Sequence, residues 1–361
     1  MFQILDSDRA FDPSDGLLVP YAMRSPVSER ERKQRRKLLA KVLGPAITIG
    51  IVLATFFALR QALKSVSLSD VMVALASVPP GHVLASLGLV ALSYFFLTGY
   101  DVLGLHYLGR RMPYSRVALG SFTSYAFANN LGFALLTGGS VRYRLYSPAG
   151  VTTSDVAILT TMCGLTFALS AALVVALCLV LQPVLLSSII GLPPVLNFLL
   201  GLGLLAALGR YLWWVWNGSR AFAWGSWRLP LPGFGSTIGQ FAVGAGDLAC
   251  AAGALYLLLP ADPGISYWVF VGVFATAMTL GLLSHVPGGV GVFEGIILFT
   301  VPGATAGEVL ASLLVFRILY YLLPLGLGLG LMLWHETRDV PEARNWRTLL
   351  KLITRPAATR A

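Results

Sequence analysis

Two stretches of this chain interrupt an apolar pattern with glycine and place charge directly behind the break. The first runs Asn129-Asn130-Leu131-Gly132 and continues into Thr137-Gly138-Gly139-Ser140-Val141-Arg142-Tyr143-Arg144. The second runs Ser284-His285-Val286-Pro287-Gly288-Gly289-Val290-Gly291-Val292-Phe293-Glu294. Both are embedded in apolar sequence, and irregular backbone at membrane depth survives only where protein or a water-filled cavity satisfies its amides and carbonyls. Asn129, Asn130, Gly138, Gly139, His285, Pro287, Gly288, Gly289 and Gly291 are therefore expected to line an internal cavity as broken-helix or gating positions. His285 is read as a hydrogen-bonded packing residue in preference to a proton carrier.

The charged residues near these breaks are few enough to weigh singly. An ionisable side chain at the bilayer centre costs at least about 2.5–3.5 kcal/mol on insertion scales, so each is a functional candidate by default. Asp247 lies mid-segment between Gly244-Ala245-Gly246 and Leu248-Ala249, and the small neighbours permit close helix packing. Asp101 follows Thr98-Gly99-Tyr100 and is either a cavity residue or a cap near a helix end. Arg142 and Arg144 are either ordinary loop arginines or phosphate contacts, for which the planar guanidinium fork is suited. Glu294 is a partner for a cationic ligand, for Arg142 or for Arg317, and Arg317 could neutralise it for structural reasons alone. Asp101, Arg142, Arg144, Asp247, Glu294 and Arg317 form the expected substrate-binding or translocation set.

The elements that must carry these residues are apolar. Of 361 residues 56% are hydrophobic and 12% charged, with a mean hydropathy of +0.76, against about 25% charged in an ordinary globular chain. Lys41 and Trp334 bracket a stretch with 11 basic and 7 acidic side chains. A soluble enzyme core is excluded, and the sequence predicts an all-α polytopic membrane protein of about eight spans with two broken or re-entrant segments. Apolar segments fall near 42–60, 82–101, 115–137, 155–181, 195–216, 236–260, 267–284 and 309–333. The two Gly-Gly breaks sit at comparable places in two halves of the chain, the pattern of an inverted repeat. Asp155, with Thr152, Thr153 and Ser154 before it, reads as a capped helix start.

The net charge of +10 is mostly topology. Residues 1–41 read as a basic cytoplasmic tail, 42–334 as the transmembrane domain and 335–361 as a short basic cytoplasmic tail. Simple alternation puts Arg142, Arg144, Arg220 and Arg228 outside, against the positive-inside pattern. All four move inside if 117–139 enters and returns on one side while 286–302 crosses. Trp213, Trp214, Trp216, Trp224 and Trp227 look like an interfacial belt.

Several functions are excluded by what the sequence lacks. It carries no nucleophile elbow, P-loop or His-Glu-x-x-His, and His82, His106, His285 and His335 have no metal-ligand spacing. No catalytic residue, metal or cofactor is expected. Cys163, Cys178 and Cys250 read as small apolar packing residues. The basic residues lack the aromatic interleaving of a nucleic-acid module, so no nucleic-acid partner is expected.

Tyr100-Asp101, the Arg111-Met112-Pro113-Tyr114-Ser115-Arg116 loop, Ser124–Asn130, Gly138–Tyr146 and above all Ser284–Glu294 resemble the N-terminal membrane domain of the bacterial multiple peptide resistance factors, the lysylphosphatidylglycerol synthase-flippase family. The resemblance extends over roughly 35–335 and carries Asp101, Arg142, Asp247 and Glu294 as motif positions. It implies a flippase that moves an aminoacylated phospholipid such as lysyl-phosphatidylglycerol from the inner to the outer leaflet of the cytoplasmic membrane, giving resistance to cationic antimicrobial peptides. Both termini would be cytoplasmic, the partners would be the phospholipid substrate and membrane lipids, and a homo-oligomer is compatible. Full-length members add a soluble aminoacyltransferase domain. None is recognised in these 361 residues, so aminoacylation is expected to need a separate synthase. The alternatives are a transporter of another anionic lipid or lipid-linked precursor, an ion-coupled solute transporter, and, less favoured, a lipid aminoacyltransferase.

Overall fold

The computed structural model describes residues 76, 78–131, 136–218, 221–224, 227–230, 232–284 and 287–338. The expected first span at 42–60, the N-terminal tail, His285 and all but the first four residues of the C-terminal tail lie outside these residues. Eleven α-helices order the described chain. They are α1 Pro80–Tyr107, α2 Tyr114–Leu131, α3 Thr137–Tyr146, α4 Thr153–Leu181, α5 Pro183–Ile190, α6 Pro194–Trp216, α7 Phe234–Tyr256, α8 Tyr267–Leu283, α9 Val292–Thr300, α10 Ala306–Phe316 and α11 Leu323–Arg338. A π-helical turn, Arg317–Leu322, joins α10 to α11, and one short antiparallel hairpin, Ala221–Trp224 with Trp227–Pro230, links α6 to α7. Five helices are long and apolar enough to cross a membrane: α1, α4, α6, α7 and the composite Ala306–His335. The protein is a multi-pass helical membrane protein, with the shorter apolar α8 beside these five.

Local chemistry accounts for the boundaries. Proline opens α1, α5 and α6, where its missing N–H is one that no helical carbonyl would accept. The capping expected at 152–155 is present: Thr152 Oγ1 accepts from the Asp155 amide at 3.2 Å and Asp155 Oδ2 from the Thr152 amide at 2.9 Å. Arg110 on the α1–α2 connection adds a 2.8 Å ion pair to Asp155. The short α5 is not distinguished in the sequence, where its residues merge with the apolar end of α4.

The expected single segment at 115–137 is instead a helical hairpin. The α2 helix ends at Leu131, and α3 folds back along it. Gly138 faces Ser124 and Ala128, while the Tyr146 hydroxyl reaches the Val117 carbonyl. The hairpin therefore returns to the side on which it began, next to the Arg110–Asp155 pair. The second expected break behaves differently. Gly289 packs against Gly281 near the end of α8, and the Gly303 amide bonds to the Pro263 carbonyl before the start of α8. Residues 287–303 thus run antiparallel to α8 along most of its length. They do so only partly as helix, since the nine residues of α9 extend about 14 Å.

Glycine is needed at two kinds of position here. Gly246 lets α7 approach α1 closely, for a Cβ there would come within 2.7 Å of the Phe96 ring. Gly288, Gly289 and Gly291 hold φ of 63°, 61° and 87°, the left-handed region that side chains avoid. At Gly289 a Cβ would also lie 3.2 Å from the Gly281 Cα. Gly289→Ala is therefore expected to lower stability by about 1–3 kcal/mol, read as a lower unfolding midpoint of the detergent-solubilised protein. An unchanged midpoint would mean that the turn can relax.

Candidate functional site

Three irregular pieces of backbone meet at one place. The tip of α2, the Pro287–Gly289 turn and the π-helical turn adjoin: Gly288 lies beside the Asn129 and Asn130 carbonyls, and Asn130 Nδ2 donates to the Tyr321 carbonyl at 3.0 Å as well as to Ala126 at 2.8 Å. Beside this junction lies a cavity of about 670 Å³, within the ligand-pocket range. Tyr100, Asn129, Arg142, Asp247, Gly288 and Gly289 contribute to its wall, which is otherwise mostly apolar.

One wall carries a neutralised pair. Arg142 on α3 and Asp101 on α1 are 2% and 0% exposed. Arg142 Nε donates to Asp101 Oδ2 at 3.0 Å and its Nη2 to Oδ1 at 2.8 Å, a forked arrangement that fixes both planes. The Tyr146 hydroxyl, 2.8 Å from Asp101 Oδ2 and 3.0 Å from the Val117 carbonyl, shares its proton between them. Cys163 Sγ lies 3.5 Å from Asp101 Oδ1, and the guanidinium sits 4.8 Å over the Tyr125 ring. The fork that could hold a phosphate is thus already engaged by a carboxylate. The helix-end alternative for Asp101 does not hold, because it lies well inside α1, a turn and a half before Tyr107.

Asp247 on α7 also borders the cavity, and it is buried and differently placed. Its Oδ1 accepts from Ser93 Oγ at 2.5 Å and its Oδ2 from the Tyr100 hydroxyl at 3.1 Å. Because Ser93 gives its proton to Asp247, the Tyr320 hydroxyl, 3.4 Å away, donates to Ser93. Two hydroxyls orient the carboxylate, yet among the described residues no cation pairs with it. A buried carboxylate with hydrogen bonds and no counter-charge is poised for a cationic group.

Of the pairings open to Glu294 and Arg317, the structure builds the mutual one. Glu294 Oε2 also accepts from the Gly291 amide at 2.7 Å, and Arg317 Nη2 donates to the Gly288 carbonyl at 3.1 Å. With the guanidinium 5.1 Å over the Tyr321 ring, the pair ties the glycine turn to the π-helical turn. Neither residue lines the cavity. Arg144, two positions beyond Arg142 on α3, does not line it either, and Gly138 and Gly139 seat α3 against α2 and α4.

Sequence reasoning missed the hydroxyls. Ser93 and Tyr100 are seven apart, two helical turns, and so share a face of α1; that spacing was the available signal. Cys163, read as apolar packing, touches the Asp101–Arg142 pair. Thr160, on the same face of α4, is 9% exposed, and its Oγ1 has no hydrogen-bond partner.

Residues 42–328 match the family described as the lysylphosphatidylglycerol synthase TM region. The chain belongs to this family. It is similar to slr0712 of Synechocystis, with 32% identity over 80% of this chain and 90% of the relative. It is also similar to the inner membrane protein YbhN of Escherichia coli, with 30% identity over 68% of this chain and 77% of YbhN. Phosphatidylglycerol lysyltransferase of Staphylococcus epidermidis is 33% identical over 84 residues, which cover 23% of this chain and 10% of that enzyme. The family match is to the membrane region, and it includes no part of a transferase domain.

Proposed function

We propose that this protein moves an aminoacylated phospholipid such as lysyl-phosphatidylglycerol from the inner to the outer leaflet of the bacterial cytoplasmic membrane, with both termini cytoplasmic. Asp247, a buried carboxylate without a counter-charge among the described residues and on a cavity large enough for a lipid headgroup, carries this reading. Asp101 cancels Arg142 from behind, so with Asp247 ionised the lining carries one negative unit. A headgroup with one phosphate and two amines has a net charge of one positive unit and complements it. Unmodified phosphatidylglycerol, with its phosphate alone, does not.

In this scheme the amine enters toward Asp247 while the acyl chains keep apolar surroundings. The Glu294–Arg317 and Asn130–Tyr321 contacts hold the glycine and π-helical turns whose rearrangement exposes the cavity to the second leaflet. Outward movement of the lipid lowers the negative surface charge and with it the uptake of cationic peptides. A separate synthase supplies the aminoacylated lipid.

The test is leaflet-resolved lipid analysis of cells supplied with such a synthase. Expression of the protein is expected to raise outer-leaflet lysyl-phosphatidylglycerol at constant total lipid. An unchanged distribution would overturn the proposal, and redistribution of unmodified phosphatidylglycerol instead would assign a different lipid.

A further inference from the structure

A second chamber of about 290 Å³ lies between α4, α5, α8 and α9. It is nearly twice the size of an engineered apolar cavity that stays dry and binds benzene. Its polar groups all face their own or a neighbouring backbone. Thr276 Oγ1 donates to the Gly272 carbonyl at 2.9 Å, Thr300 Oγ1 to Ile296 at 2.8 Å and Cys178 Sγ to Val269 at 3.7 Å. The remaining wall is Val, Leu, Ile and Phe with one glycine, so the chamber offers a water or a headgroup no free donor. Phe299 stands at its edge and is 78% exposed, and the neighbouring Leu181 and Val184 are exposed as well. In a membrane-spanning protein these side chains meet lipid, and the chamber opens toward hydrocarbon.

The chamber and the large cavity are neighbours on the same two helices. On α8, Thr276 borders the chamber and Ala277 the cavity; on α9, Ile296 borders the chamber and Phe293 the cavity. Along each helix axis these lining residues are offset by less than one turn, about 5 Å. A cavity with a buried carboxylate adjoining an apolar slot has the two-part chemistry of a phospholipid. We propose that the chamber takes one acyl chain of the lipid whose headgroup enters the cavity. This rests on the headgroup reading above and adds that the protein holds its substrate by the chain as well as by the amine.

The experiment uses the purified protein in nanodiscs with lysyl-phosphatidylglycerol carrying a photoactivatable group midway along one acyl chain, followed by peptide mapping. Labelling is expected within 273–276 and 296–300. Val273→Phe, which fills the slot, should abolish it while leaving the background on Leu199 and Leu200 of the outward face of α6. Asp247→Asn should lower slot labelling about tenfold, because the charged anchor of the same molecule is gone. Wild-type labelling confined to the α6 face would overturn the slot, whatever the leaflet assay shows. Equal slot labelling by a phosphatidylglycerol probe lacking the amine, undiminished in Asp247→Asn, would overturn its assignment to the transported lipid. Loss of leaflet exposure in Asp247→Asn alongside an unlabelled wild-type slot would leave the headgroup reading standing and remove this one.

Discussion

Arg142→Ala is expected to destabilise the solubilised protein by about 3–5 kcal/mol, a loss at the far end of what single substitutions cause. The reason is what remains. Asp101 is 0% exposed, and without the guanidinium its carboxylate keeps only Tyr146 and the weak Cys163 donor. Asp101→Ala should cost a similar amount by stranding the arginine. Because each single change leaves one buried charge and the double change leaves none, the two losses are expected to be strongly non-additive. Arg142→Lys keeps the charge but loses the fork, and should fall between. A thermal or denaturant midpoint series on the four variants and the wild type measures this directly. If Arg142 instead served mainly to hold a lipid phosphate, the single variants would retain wild-type midpoints and lose transport alone.

Asp247→Asn should show the opposite pattern. The amide is isosteric, its oxygen can still accept from Ser93, and Tyr100 can turn its hydroxyl to accept from the new NH2 group. Removing a buried charge that has no partner should leave stability unchanged or raise it. Transport should suffer, since a hydrogen bond to a charged group contributes about 1.5–3 kcal/mol, equivalent to about ten- to a hundredfold in affinity. Outer-leaflet exposure of the aminoacylated lipid should therefore fall to the level of cells lacking the protein, at equal protein abundance. Together the two variants separate a structural ion pair from a binding carboxylate, a distinction that residue type alone could not make.

Much of the architecture was legible because it follows from length and hydropathy. The limits of α4 and α6 fall within two residues of the expected segments, and prolines and the Thr152–Asp155 cap mark starts that any helix needs. The second break was legible because consecutive glycines are unusual in an apolar helix, whereas Gly138 and Gly139 lie inside α3 and mark no break. What could not be read was how broken pieces pair in three dimensions. The 117–139 return depends on Gly138 seating against Ala128 and on Tyr146 reaching Val117, contacts between residues of one hairpin that no periodicity reports. The π-helical turn at Arg317–Leu322 lies in an apolar run, and the side-chain amide that bonds to its Tyr321 carbonyl, Asn130, is distant in sequence. Likewise the charges were countable but their pairing was not. Asp101 and Asp247 both stand out as acids in apolar helices, and only the fold shows that one faces an arginine and the other two hydroxyls.

The central claim is that Asp247, a cavity carboxylate with no cation beside it among the described residues, carries a cationic lipid headgroup across the bilayer. Its most direct measurement is movement of a fluorescent lysyl-phosphatidylglycerol between leaflets of proteoliposomes holding the purified protein, compared between wild type and Asp247→Asn. Leaflet exchange that requires the protein, depends on Asp247 and is weak for unmodified phosphatidylglycerol is the predicted result. Exchange that is equally fast in Asp247→Asn, or small-ion flux without lipid movement, would contradict it.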